Sequence, residues 1–238
     1  MRRRPLVLGH RGASAQVAEN TVAAFSRARE LGADGVELDV RRSADGVLMV
    51  HHDFAIAGLG PLVELTFAEV RAARPAIPTF DEALDACRGL VMNAEVKCLP
   101  WEVDADRDGS VMRATVDALT RHDGDVIVSS FALDAVDLAR EYAAQLSADR
   151  IGTGWLTSGL EVRDSAGIAA DHGHQWLNPD LHSALAAGAD GIERAHAAGL
   201  LVSAWTVDDP DDARALAAAG VDVLISNVPD VLIGVIGS

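Results

Sequence analysis

A chain of 238 residues with 20 basic and 36 acidic side chains has a net charge of −16, which repels nucleic acid and anionic membranes and excludes polyanion partners. Apolar residues make up 49% of it, ample for one large core, yet no run approaches the roughly 20 apolar residues that cross a bilayer. The opening arginines precede only Pro5–Gly9, shorter than the apolar stretch of about 7–15 residues in a signal peptide, and Val231–Ile236 is too short to anchor. A cytoplasmic protein without stable membrane insertion is expected. Cys87 and Cys98 fit small buried hydrophobes kept reduced rather than a disulfide or a metal site. Composition leaves the oligomeric state unknown.

Short apolar runs alternate with helical patterns along the chain. Leu6–Gly9 reads as a strand, followed by a helix that Asn20 or Thr21 is placed to cap and that runs to about Leu31. Gly35–Val40 is the second strand. Asp45-Gly46 is a two-residue turn signal, and Val47–His51 alternates like a returning strand, so a hairpin-like excursion is expected here. Thr79–Arg88 reads as a helix opened by a capping box, Thr79 with Glu82. Leu90–Val96 is the next strand, and a helix is expected from about Ser110 to Arg121. Asp125–Ser129, Arg150–Leu156, Trp176–Asn178, Leu200–Val207 and Val221–Ser226 are five further strands, with alanine-rich helices between most of them.

A weak internal repeat supports the alternation. The segments beginning at Ala28, Ala195 and Ala215 each carry a helix end, a glycine suited to a left-handed stop (Gly32, Gly199, Gly220) and then a strand. Eight strands alternating with helices in about 240 residues indicate an α/β fold, a parallel TIM (β/α)8 barrel formed by residues 1–238 as one domain, with a small insertion after strand 2 over about residues 44–76. An open doubly wound sheet is the competing architecture, but no glycine-rich phosphate loop follows any strand.

In a barrel the chemistry lies at the carboxyl ends of the strands. The residues expected there are His10, Glu37, Asp39, Glu95, Lys97, Ser130, Trp155, Asn178, Trp205 and Asn227. Glu37 and Asp39 are two apart on one strand and share a side, as do Glu95 and Lys97 on the next. Carboxylates crowded into a barrel mouth are costly unless a cation joins them, and an all-oxygen set suits Mg²⁺ or Ca²⁺ rather than zinc. The bland alternative is that Glu37 or Asp39 faces solvent or pairs with Arg41 or Arg42. His10 and His52 have the proton affinity for acid/base work near neutrality, in either order, and of His51 and His52 only one can face the site. Arg11 is able to grip a phosphate oxygen in bidentate fashion. Lys97 is the only lysine in the chain, and it reads as a compact point charge that a guanidinium does not replace. Trp205 reads equally well as a pocket wall or as a lid on the barrel core.

Two other features read as structural. Asp104, Asp106 and Asp108 resemble the start of a calcium loop, but Thr115 stands where a bidentate Glu is required, so a solvated acidic loop is expected. His122, His172, His174, His182 and His196 read as core or surface histidines. A metal, two histidines and two cations together describe phosphodiester cleavage.

These motifs, in order, resemble the glycerophosphodiester phosphodiesterase family: His10-Arg11-Gly12, Glu19-Asn20-Thr21, Gly32–Val40, Asp45–Asp53, Ile77–Leu84, Asn93–Lys97, Ala204–Asp208 and Gly220–Pro229. The resemblance implies a TIM barrel with its insertion after strand 2. It also implies hydrolysis of glycerophosphodiesters, such as glycerophosphocholine or glycerophosphoethanolamine, to sn-glycerol 3-phosphate and an alcohol. His10 and His52 would then be the acid/base pair, Glu37, Asp39 and Glu95 the ligands of Mg²⁺ or Ca²⁺, and Arg11 and Lys97 the phosphate grip. A substrate hydroxyl would attack phosphorus, giving a cyclic intermediate that water opens. The chain departs from the family pattern at Ala18 (usually proline), across Phe54–Pro61, and at Asp208 and Ser226, usually asparagine and threonine. The apolar Phe54–Leu65 stretch raises an alternative, a lysophospholipase D or sphingomyelinase D-like barrel with a lipid-tail site there. A non-catalytic relative should have lost a histidine or a carboxylate, and none is missing.

Overall fold

Alternation of inward and outward side chains builds the architecture. The computed structural model describes residues 4–97 and 99–237. In chain order it contains β1 (Leu6–His10), α1 (Val22–Glu30), β2 (Gly35–Arg42), β3 (Leu48–Val50), β4 (Ala55–Ile56), β5 (Gly60–Pro61), α2 (Phe67–Ala73), α3 (Phe80–Ala86), β6 (Val91–Val96) and α4 (Ser110–Leu119). There follow β7 (Val126–Ser130), α5 (Leu133–Gln145), β8 (Ile151–Thr157), α6 (Val162–Asp171), β9 (Trp176–Pro179), α7 (Leu181–Ala197), β10 (Leu201–Ala204), α8 (Pro210–Ala219), β11 (Val223–Ser226) and α9 (Pro229–Ile236). Strands β1, β2, β6, β7, β8, β9, β10 and β11 pair in parallel, and β1 bonds both β11 and β2, which closes the barrel. The eight predicted strands are these eight, within a few residues at each end. Gly32, Gly199 and Gly220 all have positive φ, as the repeat requires of helix-stop residues.

Along β2 the outward residues Val36, Leu38 and Val40 join a core with Phe25, Phe80, Met92 and Met112. On the other half, Val7, Leu177, Val202 and Leu224 pack beneath α6, α7 and α8. Inside the barrel, Leu8, Val223 and Ile225 form the plug. The inward positions at the carboxyl ends of β1, β2 and β6 carry the charges described below. Two expected strand-end residues do not reach this interior. A side chain at Gly154 would point at Asn178, so its neighbour Trp155 faces outward, packing against the α6–α7 core with its indole N–H on the Phe131 carbonyl at 3.2 Å. Ser130 is likewise turned away from the interior, its hydroxyl donating to the Val96 carbonyl at 2.9 Å.

The insertion forms as a small unit of its own. β3 returns antiparallel to β2, with Val40 opposite Val50, after the turn at Gly46. Met49, Ile56, Leu62 and Val70 then make a separate core. Its helix α2 has a capping box, Thr66 with Glu69, which is a signal as plain as that of Thr79 and Glu82 on α3. The insertion core consumes Ile56 and Leu62, leaving only Phe54 and Leu59 as exposed large apolar residues of the Phe54–Leu65 stretch.

The acidic run before α4 is not simply solvated. Asp104 is buried against Arg41 at 2.5 Å, and Asp106 accepts the Val111 and Met112 N–H groups at 3.1 and 2.9 Å, which caps the helix. Cys87 is buried, and burial pushes its thiol up to about 12. Cys98 lies outside the described residues. Among the described residues no helix is long and apolar enough to cross a membrane.

Candidate active site

Register across β1, β2 and β6 assembles the charges. His10 pairs with Glu37, and Asp39 with Glu95, so the two predicted motif pairs lie side by side at the strand ends. Ligand atoms of Glu37, Asp39 and Glu95 lie within 4.8 Å of one another, and all three side chains are buried. Arg41 does not pair with this group. It bonds Glu102 at 3.0 Å and Asp104 instead, so the pairing of Glu37 or Asp39 with Arg41 does not form.

Two cations lie against the three carboxylates. Lys97 Nζ is 2.5 Å from Glu95 Oε1 and 3.1 Å from Asp39 Oδ1, and 6.0 Å from the centre of the Phe131 ring. Arg11, held at a left-handed φ of 55°, places Nε 3.2 Å from Asp39 Oδ2 and Nη1 3.0 Å from Glu19, while its backbone N–H donates to Glu37 at 3.0 Å. Both residues assigned to phosphate therefore rest on carboxylates here. Asn20 completes the shell, donating to Asp39 Oδ2 at 2.7 Å.

The protonation balance follows from burial and these neighbours. Burial raises the Glu37 carboxyl well above its ordinary value, and Asp39 and Glu95 add to this. Burial also raises Glu95, against the pull of Lys97. Burial works the same way on Asp39, but Lys97 and Arg11 outweigh it and hold that carboxyl below its usual range. Burial opposes the charge on Lys97, and Glu95 and Asp39 more than restore it. Asp39 Oδ1 and Glu95 Oε1 are closed to water and have the Lys97 ammonium as their neighbouring positive charge. Three buried carboxylates with too few cations, and oxygen as the only donor atom, fit a hard divalent ion.

The histidines flank this centre. The Asn227 amide is fixed because its Nδ2 donates to Asp208 at 2.6 Å and its Oδ1 accepts the Ser14 hydroxyl at 2.7 Å. His10 Nδ1–H therefore donates to Asn227 Oδ1 at 2.7 Å, leaving the Nε2 lone pair on the Glu37 side, 3.9 Å from Oε2. Burial, and then the Arg11 charge, lower the His10 pKa. His52 shares Nδ1 with Asp53 at 2.8 Å. His51 interacts instead with the Ala55 main chain. Ser14, Asn20 and Asp208 were not among the expected site residues. Their signal was weak: a motif neighbour, a capping candidate and a departure from a family pattern.

The aromatic wall also comes together here. Trp205 caps the interior plug and donates its indole N–H to the Asn178 carbonyl at 2.8 Å. Its ring meets Phe131 edge-on at 5.5 Å, beside Lys97. Phe131, one residue past β7, supplies the side chain that Ser130 and Trp155 do not. Asn178 lies fully buried in the barrel interior.

A closed parallel barrel with carboxylates and histidines gathered at its strand ends places the chain among TIM-barrel proteins that carry their site on that face. Residues 10–231 match the model of the glycerophosphoryl diester phosphodiesterase family, and the chain belongs to that family. It is an enzyme, a phosphoric diester hydrolase of the glycerophosphodiester phosphodiesterase type. A glycerophosphodiester phosphodiesterase from Caldanaerobacter subterraneus is 29% identical over 97% of each chain. A phosphodiesterase from Oleispira antarctica, solved in complex with the product sn-glycerol-3-phosphate, superposes with a TM-score of 0.83 at 25% identity, covering 99% of this chain and 98% of its own. A glycerophosphodiester phosphodiesterase from Thermotoga maritima shares the fold at a TM-score of 0.81 and 23% identity, over 98% and 99% of the two chains.

Proposed function

We propose that this single barrel domain hydrolyses small glycerophosphodiesters, glycerophosphocholine and glycerophosphoethanolamine among them, to sn-glycerol 3-phosphate and an alcohol, with a divalent ion at its mouth. The observation that carries the reading is the buried triad of Glu37, Asp39 and Glu95 flanked by two histidines whose Nδ1 atoms are both engaged. The product bound to the Oleispira antarctica phosphodiesterase supports the substrate class.

Glu37, Asp39 and Glu95 would hold Mg²⁺ or Ca²⁺. What a divalent ion supplies there is positive charge against the phosphoryl oxygens as negative charge builds on them. Arg11 and Lys97 turn from the carboxylates to the phosphate, and the guanidinium offers two parallel donors. His10 enters neutral, with Nε2 free, and takes the proton from the attacking hydroxyl. A hydroxyl of the substrate's own glycerol is the economical nucleophile, because it is already beside the phosphorus. His52, with the Asp53 carboxylate at Nδ1 to accompany a charged ring, gives its proton to the departing alcohol oxygen, leaving a cyclic phosphate. His52 then takes a proton from the water that opens this ring, and His10 returns its proton to the glycerol oxygen released, giving sn-glycerol 3-phosphate. Asp208 and Asn227 act as positioning residues that keep the His10 tautomer. Trp205 and Phe131 form one wall for the group beyond the phosphate.

The test is hydrolysis of glycerophosphocholine by the whole chain before and after chelation. Activity that vanishes with EDTA and returns with Mg²⁺ or Ca²⁺ is expected, and full activity in excess EDTA would sink the metal reading.

A further inference from the structure

A second cluster lies outside the barrel, between α5 and the turn that joins α6 to β9. Asp137 of α5 faces His172, the C-terminal cap of α6, and His174, two residues on. The Asp137 carboxylate oxygens are 3.0 and 2.9 Å from His172 Nδ1, and Oδ1 is 3.4 Å from His174 Nε2. The two rings stack with centres 6.1 Å apart. One ligand atom from each of the three residues lies within 4.8 Å of the others.

The donor balance at His174 is the telling detail. Gln175 Oε1 accepts the Thr153 N–H at 2.9 Å, which identifies it as the amide oxygen. The Thr153 hydroxyl donates to that same oxygen at 3.1 Å, so it accepts from His174 Nδ1–H at 3.1 Å. Nε2 then carries a lone pair, and it is a buried atom without a hydrogen-bond partner on a side chain with no exposed surface. It looks onto a carboxylate oxygen, one acceptor against another. A metal ion relieves it without a proton. A metal-ligating histidine is oriented by an acceptor at its other ring nitrogen, the place the Thr153 hydroxyl takes at Nδ1 here.

We propose that Asp137, His172 and His174 form a second metal site, which takes zinc or a similar borderline transition ion and staples α5 to the α6–β9 turn. Two imidazoles and one carboxylate suit that ion class, whereas the all-oxygen mouth suits Mg²⁺ or Ca²⁺. The partial exposure of Asp137 and His172 leaves water as the remaining ligand.

The test is zinc titration of the chelator-stripped chain in excess Mg²⁺, read by bound-metal analysis and by Tm. One tight equivalent is expected, with a zinc-dependent rise in Tm. Both should persist in Asp39→Asn, which shows that the ion is not at the mouth. His172→Ala, a surface change that leaves far-UV circular dichroism intact, and Asp137→Asn should each lose the equivalent and the Tm rise. Thr153→Val, which keeps all three ligands, should weaken zinc about 10–100-fold. Zinc binding equal in wild type and His172→Ala, or absent from the wild type, would reduce the cluster to a histidine–aspartate ion pair and overturn the proposal.

Discussion

The two ends of the barrel treat carboxylates in opposite ways. At the amino end of the strands, Asp34 accepts the Val7 N–H at 2.8 Å and meets Arg4 at 2.7 Å, and Asp222 accepts the Val202 N–H at 2.8 Å and meets His196 at 2.9 Å. Each closes a strand end, keeps its own partner and still touches solvent. At the carboxyl end Glu37, Asp39 and Glu95 share Lys97 and Arg11 in a buried mouth. The first arrangement stabilises the fold. The second costs stability until a further cation arrives, as expected of groups arranged for chemistry.

The sharpest way to test that contrast is at the histidines. His10→Ala and His52→Ala should each lower kcat by about 10²–10⁴-fold with little change in Tm; unchanged turnover in both would remove the acid/base assignment. Next in size is Lys97→Arg, which keeps the charge but brings a longer planar group between Asp39 and Glu95. A loss of about 10²-fold in kcat/KM is expected from the displaced geometry, and wild-type rates would show that any cation suffices.

The paired variants Glu37→Gln and Asp34→Ala compare the two ends directly. The folded Glu37 carboxyl lies above its unfolded value, so the unfolded state releases its proton first as pH rises, and by neutrality the ionised group works against folding. Glu37→Gln should therefore raise Tm by about 2–4 °C in chelator, and abolish the turnover measured with Mg²⁺ or Ca²⁺. Asp34→Ala should do the reverse, lowering Tm by about 2–4 °C and sparing turnover. Equal losses of Tm in both would erase the distinction between the ends.

The smallest effect belongs to a helix cap. Asp180 opens α7, accepting the Ser183 N–H at 3.0 Å and the Gly159 N–H at 2.7 Å. Burial raises its carboxyl, but the hydrogen bonds from Gly159 and Ser183 together outweigh it and hold the group below the usual range. Its contribution is present above the ordinary aspartate value and is lost as pH falls through the lower folded value. Asp180→Ala should cost about 1 kcal/mol at pH 7, and urea unfolding should show the gap to wild type closing below about pH 4.

How much of this was legible in sequence depended on range. Thr21, Thr79 and Gly32 announce helix starts and stops because capping is satisfied within three or four residues. The i, i+2 spacing places Glu37 beside Asp39 on one face of β2 for the same local reason. The capping box of α2, Thr66 with Glu69, is equally local. By contrast, nothing near Trp155 marks it as outward-facing. That is decided by Gly154 and Asn178 packing inside the barrel.

The sequence by itself determined the list of elements, their alternation and the chemical types gathered at strand ends, since each is written in a period or a short motif. Only the tertiary structure decided who meets whom. Asn227 orients His10 across 217 positions of chain, Asp39 faces Glu95 through the β2–β6 register, and Asp137 reaches His172 across 35. Such pairings arise from barrel closure and helix packing, which satisfy the whole chain at once and leave no trace in any one segment.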